Sequence, residues 1–174
     1  MNTKTVCNTG YTIEDHPNPE EVYDWVRSNW HDLYGWGGEN VDSLKAFCDY
    51  FSLSGMDYSV STCSYSYASA TIQDEDIAEL SGVRLFKYIQ NNFPVDLSGD
   101  CPFTGYCLDE NLLDNIRGFM AKPDSRTFQE LINDCLHSWV TAYIADWEYT
   151  YTDEAIHEHC EANEYYFTEN GSFI

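Results

Sequence analysis

Between residues 128 and 147 the apolar side chains Phe128, Leu131, Ile132, Cys135, Leu136, Trp139, Val140, Tyr143, Ile144 and Trp147 recur at three- and four-residue spacing. About five turns of unbroken helical period leave room for little except a long helix with one buried face. Its opposite face carries Glu130, Asp134, Asp146 and Glu148. Beyond Arg126 there is no Lys or Arg, so residues 127–174 hold ten carboxylates and no fixed cation. The fold must therefore carry an unneutralised acidic surface on a helical frame.

The composition supplies a core for that frame. A chain of 174 residues with 43% apolar content, five Trp, nine Phe and fourteen Tyr buries most of its apolar surface, so global disorder is excluded. The length fits a single acidic domain over 1–174, with any sub-boundary near 94–108, where Gly, Pro and Asp cluster. The net charge of −22 costs stability by self-repulsion and would repel free nucleic acid and anionic membranes. The first residues lack an apolar signal core and no run approaches eighteen apolar residues, so neither secretion nor membrane insertion is expected. Seven scattered cysteines, several on apolar faces, read as reduced thiols of a cytoplasmic protein.

The remaining elements follow from period and punctuation. Residues 4–13 read as a first strand interrupted by a turn. A helix opens at Pro19-Glu20-Glu21 with Val22, Trp25, Val26, Asn29, Trp30 and Leu33 on one face. Asn40 reads as the cap of a second helix that buries Val41, Leu44, Phe47, Cys48 and Phe51. The Tyr-, Thr- and Val-rich stretch 56–72 alternates at period two, as a hairpin turning near Ser64 does. A third helix is expected over about 76–92 and a fourth over about 110–121, with Leu112, Leu113, Ile116, Phe119 and Met120 inward. A short sixth helix fits about 152–162, followed by a strand and an Asn-Gly turn in the closing residues. The expected class is α+β: a small antiparallel sheet of three or four strands covered by five or six helices, mostly helical in its C-terminal half.

Catalytic motifs are sparse. His157-Glu158-His159-Cys160 places His157 and Cys160 on one helix face, but H-E-x-x-H is absent and a third ligand has no standard spacing. Two exposed imidazoles and a buried thiol are the expectation, with no metal and no cofactor. Cys101 and Cys107 lack the C-x-x-C spacing of redox pairs; a tight loop anchored by Phe103 and Tyr106 is expected instead. No P-loop or dinucleotide-binding glycine pattern occurs, and Gly35-Trp36-Gly37-Gly38 is too short to cradle phosphate. An enzyme is not expected.

Charge is the informative feature. A surplus of 22 negative charges matches the phosphates along roughly 37 Å of duplex DNA. Carboxylates fixed on rigid helices can occupy a basic nucleic-acid channel, which makes a DNA mimic one reading. A solvated coat is a plainer one, and a halophilic coat is disfavoured by the cysteines and 16% aromatics. A third is an antitoxin-like or adaptor protein that neutralises a single partner through an acidic-aromatic patch around Tyr149, Tyr151, Tyr165 and Tyr166.

The segments CPFTGYCLDENLLDNIRGFMAKPDSRTFQELI and NEYYFTENGSFI resemble a group of small acidic proteins encoded by tailed bacteriophages. The resemblance implies phage origin and expression in the cytoplasm of a bacterial host, and brings no site residues with it. In charge and size the chain also resembles phage inhibitors of restriction and CRISPR systems. The expected function is that of a non-enzymatic anti-defence protein. It would cover the nucleic-acid-binding surface of a basic host protein or ribonucleoprotein complex without binding nucleic acid or membrane itself. The expected contact residues are Glu130, Asp134, Asp146, Glu148, Asp153, Glu154, Glu158 and Glu161.

Overall fold

The computed structural model describes residues 10–33, 38–61, 63–93, 101–105 and 108–174, with 30–33 described by backbone alone. Among them are seven helices and two strands: α1 Pro19–Leu33, α2 Gly38–Tyr50, β1 Ser54–Ser59, β2 Tyr67–Thr71, α3 Glu75–Ala78, α4 Gly82–Asn92, α5 Leu108–Ala121, α6 Phe128–Thr150 and α7 Asp153–Ala162. The class is α+β, but among the described residues the sheet has two strands rather than the expected three or four. Most of the expected first strand lies outside the described residues. At Tyr11, and again near the C-terminus, pairing consists of single bridges, Tyr11 with Phe167 and Phe167 with Phe173. Isolated bridges of this kind give too little ladder to count as a strand. No helix among the described residues is long and apolar enough to cross a membrane.

By their contacts the residues divide into two units, 1–36 with 147–174, and 37–146. Much of 94–108 lies outside the described residues.

The second unit, 37–146, holds the larger core. Leu44, Phe47 and Phe51 from α2 and its end, Leu85 and Ile89 from α4, and Leu112, Ile116 and Phe119 from α5 meet the apolar stripe of α6. Trp139, fully buried, donates its indole N–H to the Asn40 carbonyl at 3.0 Å. Asn40 is thus a buried residue within α2, two positions past its start, and not the expected cap. The hairpin pairs Asp57 with Ser69 and Ser59 with Tyr67, and its register slips between Ser54 and Asp57, where Gly55 takes φ of 66°. Gln129 on α6 ties down its edge by donating to Ala70 O at 3.0 Å and accepting from Ile72 N at 2.9 Å.

The expected helix over 76–92 is two helices. Between them Ser81 bridges to Thr127, Phe128 N donates to Leu80 O at 2.8 Å, and Gly82 turns the chain with φ of 56°. Pairing across this junction satisfies backbone groups that helix continuation would otherwise use. Asp109, fully buried at the start of α5, accepts from Phe103 N at 2.9 Å and from Thr104 N at 2.7 Å. This carboxylate fixes the 101–105 turn, a role the sequence did not suggest; Tyr106, the expected anchor, lies outside the described residues.

In the first unit, Val22 and Val26 of α1 meet Ile156 and Cys160 of α7, with Ile13 and Phe167 completing the core. Trp25, Phe167, Phe173 and Tyr165 add edge-on and stacked ring contacts at centroid separations between 4.9 and 6.4 Å. Gly171 is required here. Its φ is 77°, and a Cβ on it would lie 2.7 Å from the backbone of Glu21. Gly171→Ala should therefore destabilise this unit by about 2–3 kcal/mol, through both the left-handed backbone and the overlap. A thermal melt with hydrogen exchange in α1 and α7 checks this, and unchanged protection would contradict it.

Cysteine placement gives a pH prediction. Cys48, Cys135 and Cys160 are buried, whereas Cys63 is exposed at the hairpin turn and Cys101 half-buried; Cys7 and Cys107 lie outside the described residues. Burial pushes the thiols of Cys48 and Cys160 up to about 11, and that of Cys135 higher still. In the unfolded chain these thiols release protons near their ordinary value of 9.0. Their contribution to stability is complete below about pH 9 and is lost as pH rises towards 11. Urea midpoints measured from pH 8 to 11 should fall, and changing Cys48 and Cys160 to Ala should flatten that part of the profile.

Candidate interaction surface

Acidic residues are unevenly shared between the units. Residues 1–36 and 147–174 carry thirteen carboxylates against Lys4 and Arg27, whereas 37–146 carries seventeen against six cations. In the first unit, all twelve carboxylates whose side chains are described are exposed: Glu14 and Asp15, Glu20, Glu21 and Asp24 of α1, Glu148, the four on α7, Glu164 and Glu169. Arg27 is occupied internally. It donates to Tyr151 O at 3.1 Å, pairs with Asp24 at 3.2 Å and with Asp153, and its guanidinium lies 5.9 Å from the Tyr23 ring centroid.

Helix α7 shows how the sequence produces this surface. Thr152 caps it by accepting from Ala155 N at 3.3 Å, and Asp153 and Glu154 occupy the first turn, where the helix dipole favours negative charge. Ile156 and Cys160 point into the core, so the 3.6-residue period turns Glu154, Glu158 and Glu161 outward. Along the axis these three are about 6 and 4.5 Å apart. Burial, then Glu158 and Glu154, raise Tyr149 above the ordinary tyrosine range; burial, then Asp153 and Glu20, raise Tyr23.

Of the eight residues expected from sequence, four are exposed on the first unit with no ion pair among the described residues: Glu148, Glu154, Glu158 and Glu161. Asp153 is held by Arg27. The other three lie in the second unit. Glu130 completes a capping box, accepting from Thr127 N at 2.8 Å while Thr127 Oγ1 accepts from Glu130 N at 3.2 Å. Asp134 pairs with Arg126 at 2.7 Å, and Asp146 is half-buried near Tyr143, whose pKa is raised by burial first and then by Tyr58 and Asp146. The signal for Glu130 was present in Thr127-x-x-Glu130. Five further carboxylates of this unit, Glu14, Asp15 and the α1 residues Glu20, Glu21 and Asp24, have no cation between Lys4 and Arg27, and that run was the sequence signal for them.

The His157–Cys160 segment has structural partners. His157 Nδ1 lies 3.5 Å from the Tyr23 hydroxyl, and its Nε2 lies 3.9 Å from the Glu14 carboxylate. His159 packs edge-on to Tyr165, and burial lowers its pKa. Both imidazoles are half-buried rather than exposed. No group of three His, Cys, Asp or Glu among the described residues is arranged to hold a metal.

Two adjoining clefts open in the first unit beside the C-terminal end of α7. They share Glu164, Tyr165 and Tyr166; one, of about 310 Å³, is also lined by Glu14 and Glu161, and the other by Phe173. No protein-family model matches the chain, and comparison with curated proteins and with solved structures returns no match.

Proposed function

We propose that the protein is a non-catalytic inhibitor of phage origin. In this reading it acts in the host cytoplasm by covering the nucleic-acid-binding surface of a basic defence complex, a CRISPR effector or a restriction enzyme. One observation carries the reading: every described carboxylate of the first unit faces solvent, while the one described cation there is held by internal contacts. Such a unit offers a basic channel negative charge fixed on helices without the phosphate backbone. The step of about 6 Å between Glu154 and Glu158 is close to the axial rise of two phosphates on one strand. Binding would release counterions from the acidic face and from the basic partner, so it should weaken steeply with salt.

The test uses purified CRISPR effector complexes and restriction enzymes with labelled duplex DNA. The protein is expected to displace DNA from at least one of them, and to raise phage plating on a strain that carries that system. Absence of displacement across the panel would overturn the reading. An adaptor-like reading is favoured by Tyr149 and Tyr166, 46% and 50% exposed among the acids. It predicts binding to one partner with a shallow salt slope and no competition with DNA.

A further inference from the structure

The clefts beside the α7 terminus combine aromatic walls with concavity and an acidic rim. Tyr165 is held by edge contacts, with His159 at 5.5 Å and Phe173 at 4.9 Å. Tyr166 is half exposed, and Gly10 comes so close that a Cβ on it would lie 3.0 Å from Tyr166 Cβ. Glu14, Glu161 and Glu164 are exposed at the rim, and Glu14 lies near the half-buried His157. Glu164 adopts φ of 52° at the end of α7, where its N–H donates to Glu161 O at 3.0 Å and Tyr165 N donates to Cys160 O at 3.0 Å. This is a helix-terminating pattern that glycine favours, so a glutamate here is held against local backbone preference.

We propose that this cleft takes one arginine side chain of the basic partner, anchoring the acidic face in a single register. The inference rests on the partner being basic, as proposed above. Charge complementarity selects a cation, and the tyrosine walls select arginine over lysine, because a guanidinium is planar, weakly hydrated and stacks on aromatic rings. Glu161 and Glu164 supply carboxylates that can accept its N–H groups.

The test is NMR shift mapping on the whole protein with N-acetyl-arginine amide, with N-acetyl-lysine amide and calcium chloride as separate probes. The arginine probe should give saturable shifts at Tyr165, Tyr166, Glu161 and Glu164, and bind several-fold more tightly than the lysine probe. The double change Glu161→Gln with Glu164→Gln should weaken arginine binding about tenfold, a loss of about 1.4 kcal/mol. Glu164→Gly provides the folding control: the melting temperature should hold or rise while arginine binding falls. Equal binding of lysine, matching shifts with calcium, shifts that follow protein concentration instead of probe, or unaltered binding by the double variant would each overturn the cleft assignment. Failure of DNA displacement with arginine still bound in the cleft would sink the proposed function and spare the cleft. Displacement without arginine binding would do the reverse.

Discussion

Trp139→Ala will leave the second unit at or beyond the edge of unfolding. The indole is fully buried at the centre of α6, with Tyr58 and Tyr143 edge-on to it at 5.8 and 5.3 Å. Removing a large buried ring costs about 3–5 kcal/mol, because the surrounding side chains collapse only partly into the space. The same change removes the indole N–H bond to the Asn40 carbonyl, which keeps its intrahelical partner in α2, and loss of that bond adds about 1 kcal/mol. The sum is comparable with the roughly 5–15 kcal/mol by which folded domains are stable. Trp139→Phe separates the two effects: it keeps most of the packing and loses the hydrogen bond. Urea midpoints should fall slightly for Phe and sharply for Ala. Nearly equal losses would show that the hydrogen bond, not the ring, dominates.

Changing Glu148, Glu154, Glu158 and Glu161 together to Lys should abolish target inhibition, at least about a hundredfold, while leaving the fold intact. Each substitution moves the formal charge by two, so the chain goes from −22 to −14. All four side chains are exposed, where substitutions change stability by about 0.5 kcal/mol or less. The helix dipole enters with opposite signs. A lysine at 154 in the first turn of α7 is disfavoured, and one at 148 near the end of α6 is favoured, each by about 0.3–1 kcal/mol. On the partner the effect is larger, since like charges then face each other across the interface. Asp153 is left out deliberately, because reversing it would break the Arg27 contact and confuse folding with binding. An enzyme would respond the other way, tolerating the reversal and failing on a single Cys or His change.

Much of this frame was legible in the residues. The stripe from Phe128 to Trp147 marked α6, and Pro19-Glu20-Glu21 marked the start of α1, because amphipathic period and cap chemistry are local properties. What failed was non-local. Asn40 looks like a cap until Trp139, 99 positions away, claims its carbonyl. The break at Ser81 depends on Thr127, and the short pairings at Tyr11 and Phe167 depend on each other. For the candidate surface, the acids of α7 were legible because burial of Ile156 and Cys160 follows from their spacing. The pairing of Asp153 with Arg27 across 126 positions, and the joining of α1's carboxylates to the same unit, required the fold.

We propose that these carboxylates act as an ordered substitute for phosphates. Displacement of labelled duplex DNA from the target by wild-type protein and by the four-lysine variant, across a salt series, tests it most directly. Salt relieves self-repulsion within the protein, so loss of binding at high salt would not come from unfolding. Wild-type displacement should weaken with a steep log–log slope, and the variant should give none. A folded variant that displaces DNA as well as the wild type, or a slope near zero, would contradict the proposal.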